Sequence, residues 1–399
     1  MRHFIAFLLM LLFSTPAFTS SFQVTVVSLQ SEDRTNEGQS FAGITVKPQR
    51  SVLRAVELAL FESSTLLDAV GIKAELRMLE LQADIDFMPQ LQSIPKTSLL
   101  ILDLPRDAIE QVAKLANQLK LAAFNVRHSD ASLRESLCLQ YVFHAIPSDR
   151  MYFDALGQFL LFRGWRKVLV VQGPSQQDTD RAQSLVASFK KFGVTIVDQR
   201  TFTLSHHPDD RDENKPEFLT GGVSYDVVAV IDSKKDYGRY LQYSTRSARP
   251  VIGDVGLTPA SWHFALERYG APQLNERYRQ FKKGERLSSQ VAMTDAEFAA
   301  WSTVKLITNS INSSGISKGT DLNLIAMLND PASQVDLYKG TRGSIRHWNH
   351  QLRQPILLGT PDAVVAIAPM PKFLHPKHYV DTLGIDEPES ECRLPRVNR

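Results

Sequence analysis

The sequence predicts an α/β protein of two doubly wound, Rossmann-like lobes, and three observations carry that expectation. Wholly apolar runs such as "LLILDL" (Leu99–Leu104) suit strands buried on both faces. Such runs alternate with amphipathic helical periods, the order of βαβ units on a parallel sheet. The alternation, once complete, then starts again further along the chain.

The elements follow in order. "VTVVSL" (Val24–Leu29) reads as the first strand, and Val52, Val56, Ala59 and Leu60 mark one face of a helix. After the strand at Leu99–Leu104, "RDAIEQVAKLANQL" is helical by its period and Leu121–Phe124 supplies the next strand. The second block opens with a helix on which Met151, Ala155 and Phe159 align, with Ser148 placed to cap it. Lys167–Gly173 is a strand entering a turn. Ala182, Leu185, Val186, Phe189 and Phe192 recur at threes and fours as a helix, and Val194–Val197 and Val227–Ile231 are strands. Ala300, Val304, Ile307 and Ile311 line a later helix. The polar stretch Ser205–Glu217 reads as a surface loop, and the proline-rich end from Pro369 is expected to wrap over the surface.

Residues 1–21 read as an export signal. Arg2 and His3 precede the apolar run Phe4–Phe13, and small residues follow. That run falls short of the roughly 20 apolar residues that span a bilayer, and no later segment is longer, so no stable membrane insertion is expected after cleavage. The remaining chain has room for two domains. A net charge of +2 gives no reason to expect nucleic acid. In an oxidising compartment the two cysteines, Cys138 and Cys392, are expected to bond and tether the tail to the first lobe.

Catalytic signatures do not stand up. GxxxxGK[ST], a GxGxxG after a strand, HExxH and zinc-type cysteine pairs are all missing from the sequence. "GISKG" (Gly315–Gly319) matches G-x-S-x-G by letters, but it follows a helix where that motif needs a strand. His206, His207, Asp209, Asp210 and Asp212 read as hydrated loop residues, so no metal is assigned to them, nor to His375 and His378. "VIGDVGLTP" (Val251–Pro259) has two glycines, but it lacks the lysine of a phosphate loop and runs into proline where a helix should begin. It is expected to be a bend between lobes. No cofactor and no reaction are expected.

"FHAIPSDRMYFDALGQFLLFRGWRKVLVVQG", and "YDVVAVIDSKKDYGRYLQY" followed by "RPVIGDVGLTP", resemble the type I periplasmic binding proteins of the branched-chain amino acid/amide class, the solute receptors of ABC transporters. "SWHFALERYGAPQLNERY", "KGTRGSIRHWNHQLRQPILL" and "FLHPKHYVDTLGIDEPESECR" resemble a subfamily found with PQQ-dependent alcohol dehydrogenase systems. The resemblance implies a periplasmic location, a permease partner and a small ligand captured by hinge closure. It also implies three chain crossings, near Val142–Ser148, Pro250–Leu257 and Tyr338–Ser344. The first lobe is then expected over 22–143 plus 254–338, the second over 144–253 plus 339–368, and a tail over 369–399.

Ligands of such sheets sit outside the carboxyl ends of the strands. The candidate contacts are therefore Asp103, Asn125, Arg127, Ser129, Gln172, Asp232 and Asp254, with Asp149 at the start of a helix. Asp149 matches an acid that the family uses for the ligand's ammonium group. Other pocket features depart from the family: "DLPRDA" stands where a serine-rich turn binds the carboxylate, and Pro105 has no N–H to donate. "QGPSQQD" replaces a tyrosine–glycine pair. These departures argue against an ordinary α-amino acid. They also raise the alternative of a docking protein of the same system that takes no small ligand, and the subfamily resemblance implies a third, a carrier delivering metal to its dehydrogenase. A cleft filled by the protein's own side chains or tail would favour the docking role.

Overall fold

The computed structural model describes residues 20–30, 39–41, 44–47, 51–82, 85–203, 214–281, 292–314 and 322–394. Most of the expected export signal, the loop histidines and aspartates, and "GISKG" lie outside those residues.

The first block builds a parallel sheet from β1 (Ser20–Leu29), β4 (Ile72–Leu81), β5 (Ser98–Leu102), β6 (Ala122–Asn125) and β7 (Val142–His144), in the order β4-β1-β5-β6-β7. A short hairpin of β2 (Gln39–Phe41) and β3 (Ile44–Lys47) precedes α1 (Leu53–Ala69). Every residue of β5 is buried, so both sheet faces need apolar cover. One face packs against Ala55, Val56 and Ala59 of α1. The other packs against Phe87 of α2 (Phe87–Gln92) and Ile109 and Val112 of α3 (Arg106–Gln118).

The second block contains α4 (Asp149–Arg163), β8 (Lys167–Gln172), α5 (Gln176–Lys191), β9 (Thr195–Thr201), α6 (Pro216–Leu219), β10 (Val227–Ile231) and β11 (Val251–Gly253). Its parallel sheet runs β11-β10-β8-β9. Local chemistry sets the bounds of α4. The Ser148 hydroxyl accepts from the Met151 N–H at the start, and Gly164 ends the helix in the left-handed conformation at φ +77°.

The chain then bends where the two glycines stand. Gly253 has φ +106°, and a Cβ there would lie 2.3 Å from the Val230 carbonyl oxygen, so only glycine fits. The bend leads into β12 (Thr258–Ala260), which pairs antiparallel with β15 (Ile356–Thr360), itself paired with β16 (Ala363–Ala368). Between them, α7 (Ala271–Gln280), α8 (Asp295–Ser313) and α9 (Leu324–Asn329) return to the first core, where Leu274, Trp301 and Leu328 are buried with α1. The expected helix face Ala300, Val304, Ile307 and Ile311 on α8 is fully buried there.

The last passage between cores differs from the expected one. A hairpin of β13 (Val335–Asp336) and β14 (Arg342–Gly343) keeps the chain at the first lobe. Leu337 and Leu352 both sit in the first core, while Ile356 sits in the second. Leu357, between Ile356 and Leu358 of the second core, faces the first, so β15 lies between the two cores and the chain is still at the first lobe at Leu352, past Tyr338–Ser344. Beyond β16 the tail lies against α4 and α5, and Cys392 is bonded to Cys138 across 254 positions of sequence. Among the described residues no helix is long and apolar enough to cross a membrane.

Candidate functional site

The carboxyl ends of the strands hold all of the expected contacts except Asp149, which opens α4. At the first lobe, Asp103 follows β5 and is buried. Its Oδ2 accepts from the Val52 N–H at 3.3 Å, and its Oδ1 lies 3.8 Å from Nη1 of Arg127. Asn125, at the end of β6, shapes the loop after it. Its Oδ1 accepts from the N–H groups of Arg127 and His128 at 3.1 and 3.0 Å, while its Nδ2 donates to the His128 carbonyl at 2.7 Å. That loop delivers Ser129 to the start of α4. Its hydroxyl donates to Asp149 Oδ1 at 2.9 Å, and its carbonyl accepts from the Asp149 N–H at 2.8 Å.

At the second lobe, Gln172 closes β8 and accepts from Gln199 at 2.5 Å. Asp232 closes the turn after β10 by accepting from the N–H groups of Tyr237 and Gly238 at 2.9 and 2.7 Å. Asp254, in the glycine bend, accepts from the Asp232 N–H at 2.8 Å.

A residue outside the expected set joins these groups. Arg181, on α5, grips Asp254 with a two-pronged fork, Nη1 to Oδ2 at 2.6 Å and Nη2 to Oδ1 at 2.8 Å. Its Nε reaches Asp149 Oδ1 at 3.3 Å. Planar guanidinium and carboxylate match in such a fork, which makes it among the stronger side-chain contacts. Burial alone would raise Asp254, but Arg181 holds its carboxyl below the usual range. Burial alone would lower Arg181, but Asp254 and Asp149 raise it, so it stays cationic. Asp232, more isolated, is pushed up by burial.

Ser129, Asp149 and Asp254 thus form one network through Arg181, with Asp232 joined by its backbone. Asp103 and Arg127 pair with each other, and Asn125 and Gln172 serve their own strand ends. A signal for Arg181 was present in the sequence. It shares a helix face with Ala182, Leu185 and Phe189, all buried, and a charge on such a face has to find a partner. Asp178 on the same face has one, accepting from the Ser233 N–H at 2.8 Å.

Two more buried cations sit where the chain passes between lobes. Arg134 donates to Gln351 Oε1 at 2.6 Å and to the Ile146 carbonyl at 2.8 Å. Lys339 donates to the carbonyls of Ser261 and Pro355, both at 2.9 Å, and to Gln354 Oε1 at 2.8 Å. Gln354 in turn donates to the Ala145 carbonyl at 2.7 Å. Lys339 therefore ties together segments of all three passages. Burial pushes its amine down to about 7, against the pull of Asp295. Among the described residues no three His, Cys, Asp or Glu side chains gather to hold a metal ion.

Residues 90–240 match the family model described as receptor family ligand binding region. A search of curated proteins finds no match. Solved structures share the fold across nearly the whole chain. A branched chain amino acid ABC transporter periplasmic ligand-binding protein from Burkholderia xenovorans LB400 superposes with a TM-score of 0.68 at 12% identity, covering 93% of this chain and 99% of that one. An ABC transporter solute binding protein from R. palustris, in complex with benzoate, gives 0.62 at 12%, covering 94% and 100%. An ABC transporter substrate-binding protein from Desulfitobacterium hafniense, in complex with Leu, gives 0.61 at 14%, covering 86% and 99%. The chain has the two-lobed α/β fold of type I periplasmic binding proteins.

Proposed function

We propose that this chain is a periplasmic solute receptor of an ABC transporter, and that its lobes close on a small ligand lacking an α-ammonium group. The fork between Arg181 and Asp254, with Asp149 beside it, carries the reading. A ligand ammonium and the Arg181 guanidinium would compete for the same acids, and the internal cation is already in place without loss of binding entropy. Relatives in fold take both kinds of ligand, benzoate in one structure and leucine in another, so the choice rests on Arg181. The resemblance of the Phe373–Arg393 segment supports placing the receptor with a PQQ-dependent alcohol oxidation system.

The same network supports a second reading, a docking protein of that system that captures no solute, because its cleft acids are satisfied internally. It weighs against metal delivery, since Asp149 and Asp254 already have a cation. A thermal-shift titration of the mature protein with leucine, benzoate, short alcohols and their acids, and PQQ separates these readings. The expected result is a saturable rise in melting temperature, about 2.7 kcal/mol of stabilisation at 100 times Kd, with a ligand free of ammonium and none with leucine. A rise with leucine overturns the proposal. A flat response to every compound favours the docking role.

A further inference from the structure

The tail begins in one lobe and ends in the other. Met370 and Leu383 belong to the second core. The Met370 N–H donates to Gln158 of α4 at 2.9 Å, and the Gly384 N–H donates to Asp154 of α4 at 2.8 Å. Lys191, the last residue of α5, donates to the Gly384 carbonyl at 2.9 Å and to Asp154 at 3.2 Å. At the other end, Leu133, Leu137 and Leu139 pack on the first core, and this segment carries the tail's second anchor. Glu135 accepts from the Ser390 hydroxyl at 2.7 Å and from the Glu391 N–H at 3.0 Å, and Cys138 holds Cys392 covalently.

Between its ends the tail is fastened to the last passage between lobes. Asp381 is buried between Arg346, at 3.0 Å, and Arg353, at 2.9 Å, and the Trp348 indole N–H donates to the Ile385 carbonyl at 3.2 Å. Beside this run the lobes leave a gap. An open groove of about 430 Å³ is lined by Ser132 and Glu135 from the first lobe, Arg150 and Gln183 from the second, and Ile385 and Glu391 from the tail. The tail therefore spans a space that direct packing of the lobes does not fill.

We propose that residues 369–394 form a strap that sets the angle between the two lobes, with the Cys138–Cys392 bond as its fixed end. Rotation of one lobe against the other has to move Glu135 and Cys138 relative to Asp154 and Lys191, and the strap resists it at both ends. The device does not depend on what the cleft binds. Single-molecule energy transfer tests it, with dyes on non-natural side chains at Gln111, exposed on α3, and Lys190, exposed on α5. In the unaltered protein a single narrow distance distribution is expected. In the Cys138→Ser/Cys392→Ser variant the distribution becomes at least twofold wider, or a second population appears. In Glu135→Gln, which keeps the disulfide, a smaller broadening is expected. Distributions that superimpose on the unaltered protein's overturn the proposal. Should the double serine variant fail to fold, Glu135→Gln decides it by the same reading.

Discussion

Arg181 shows how much a single side chain sets the character of this cleft. A charge on the buried face of α5 is stable only while its carboxylates remain in place, and breaking such a pair costs more than forming it contributes. Arg181→Met keeps most of the volume but takes from Asp149 and Asp254 the cation that they share. We expect a loss of about 3–5 kcal/mol of stability, read from urea unfolding followed by circular dichroism. Arg181→Met/Asp254→Asn should recover part of that loss, because it removes the charge left behind. If the single variant is as stable as the parent, the fork is not holding the second lobe together.

At the scale of elements, capping gives the cleanest test. Ser148 sits between the first passage and α4, so its hydroxyl fixes where Asp149 stands. Ser148→Ala should cost about 1 kcal/mol, seen as a lower urea midpoint with an unchanged slope, and a neutral result would place the helix start elsewhere. Much at this scale was legible in the sequence. The strand expected at Val227–Ile231 is β10 residue for residue, and the helix expected after Pro105 is α3. These elements are written in local period and composition. What was hidden depends on partners distant in sequence. The strand β15 pairs not only with its neighbour β16 but also with β12, about 100 residues earlier, a relation that no local pattern encodes. The last passage was placed too early because the β13–β14 hairpin lengthens the stay at the first lobe. In the cleft, strand ends located the candidates, but only the fold showed that two of them, Asp149 and Asp254, share Arg181.

For the molecule as a whole, stability should depend on acid in a defined window. His144 is buried and held well below its usual value by burial and by Arg134. Burial also pushes His350 down to about 4, and His128 to about 4 with the help of Arg127. All three are therefore neutral in the folded chain. As pH falls from about 6.5 towards 4, the unfolded chain binds protons that the native state refuses, so stability drops; above 6.5 their contribution is complete. The unfolding free energy from urea titration is expected to fall by several kcal/mol between pH 7 and pH 4.5, and a value independent of pH over that range would show the histidines charged or exposed. The effect is global because His144 and His350 brace the first and last passages: the His144 N–H donates to the His350 carbonyl at 3.0 Å, and the His350 ring stacks on Phe143 with centroids 4.2 Å apart.

The strap also imposes an order in time. Cys138 is synthesised 254 positions before its partner, so both sheets can form while its thiol still waits. Leu383, Gly384 and Ser390, which fasten the lobes, are likewise among the later residues made. A chain made only as far as residue 382 therefore leaves Asp154, Lys191 and Glu135 without their tail partners. The bond at Cys138 can close only once residue 392 has been made, after every strand of both sheets.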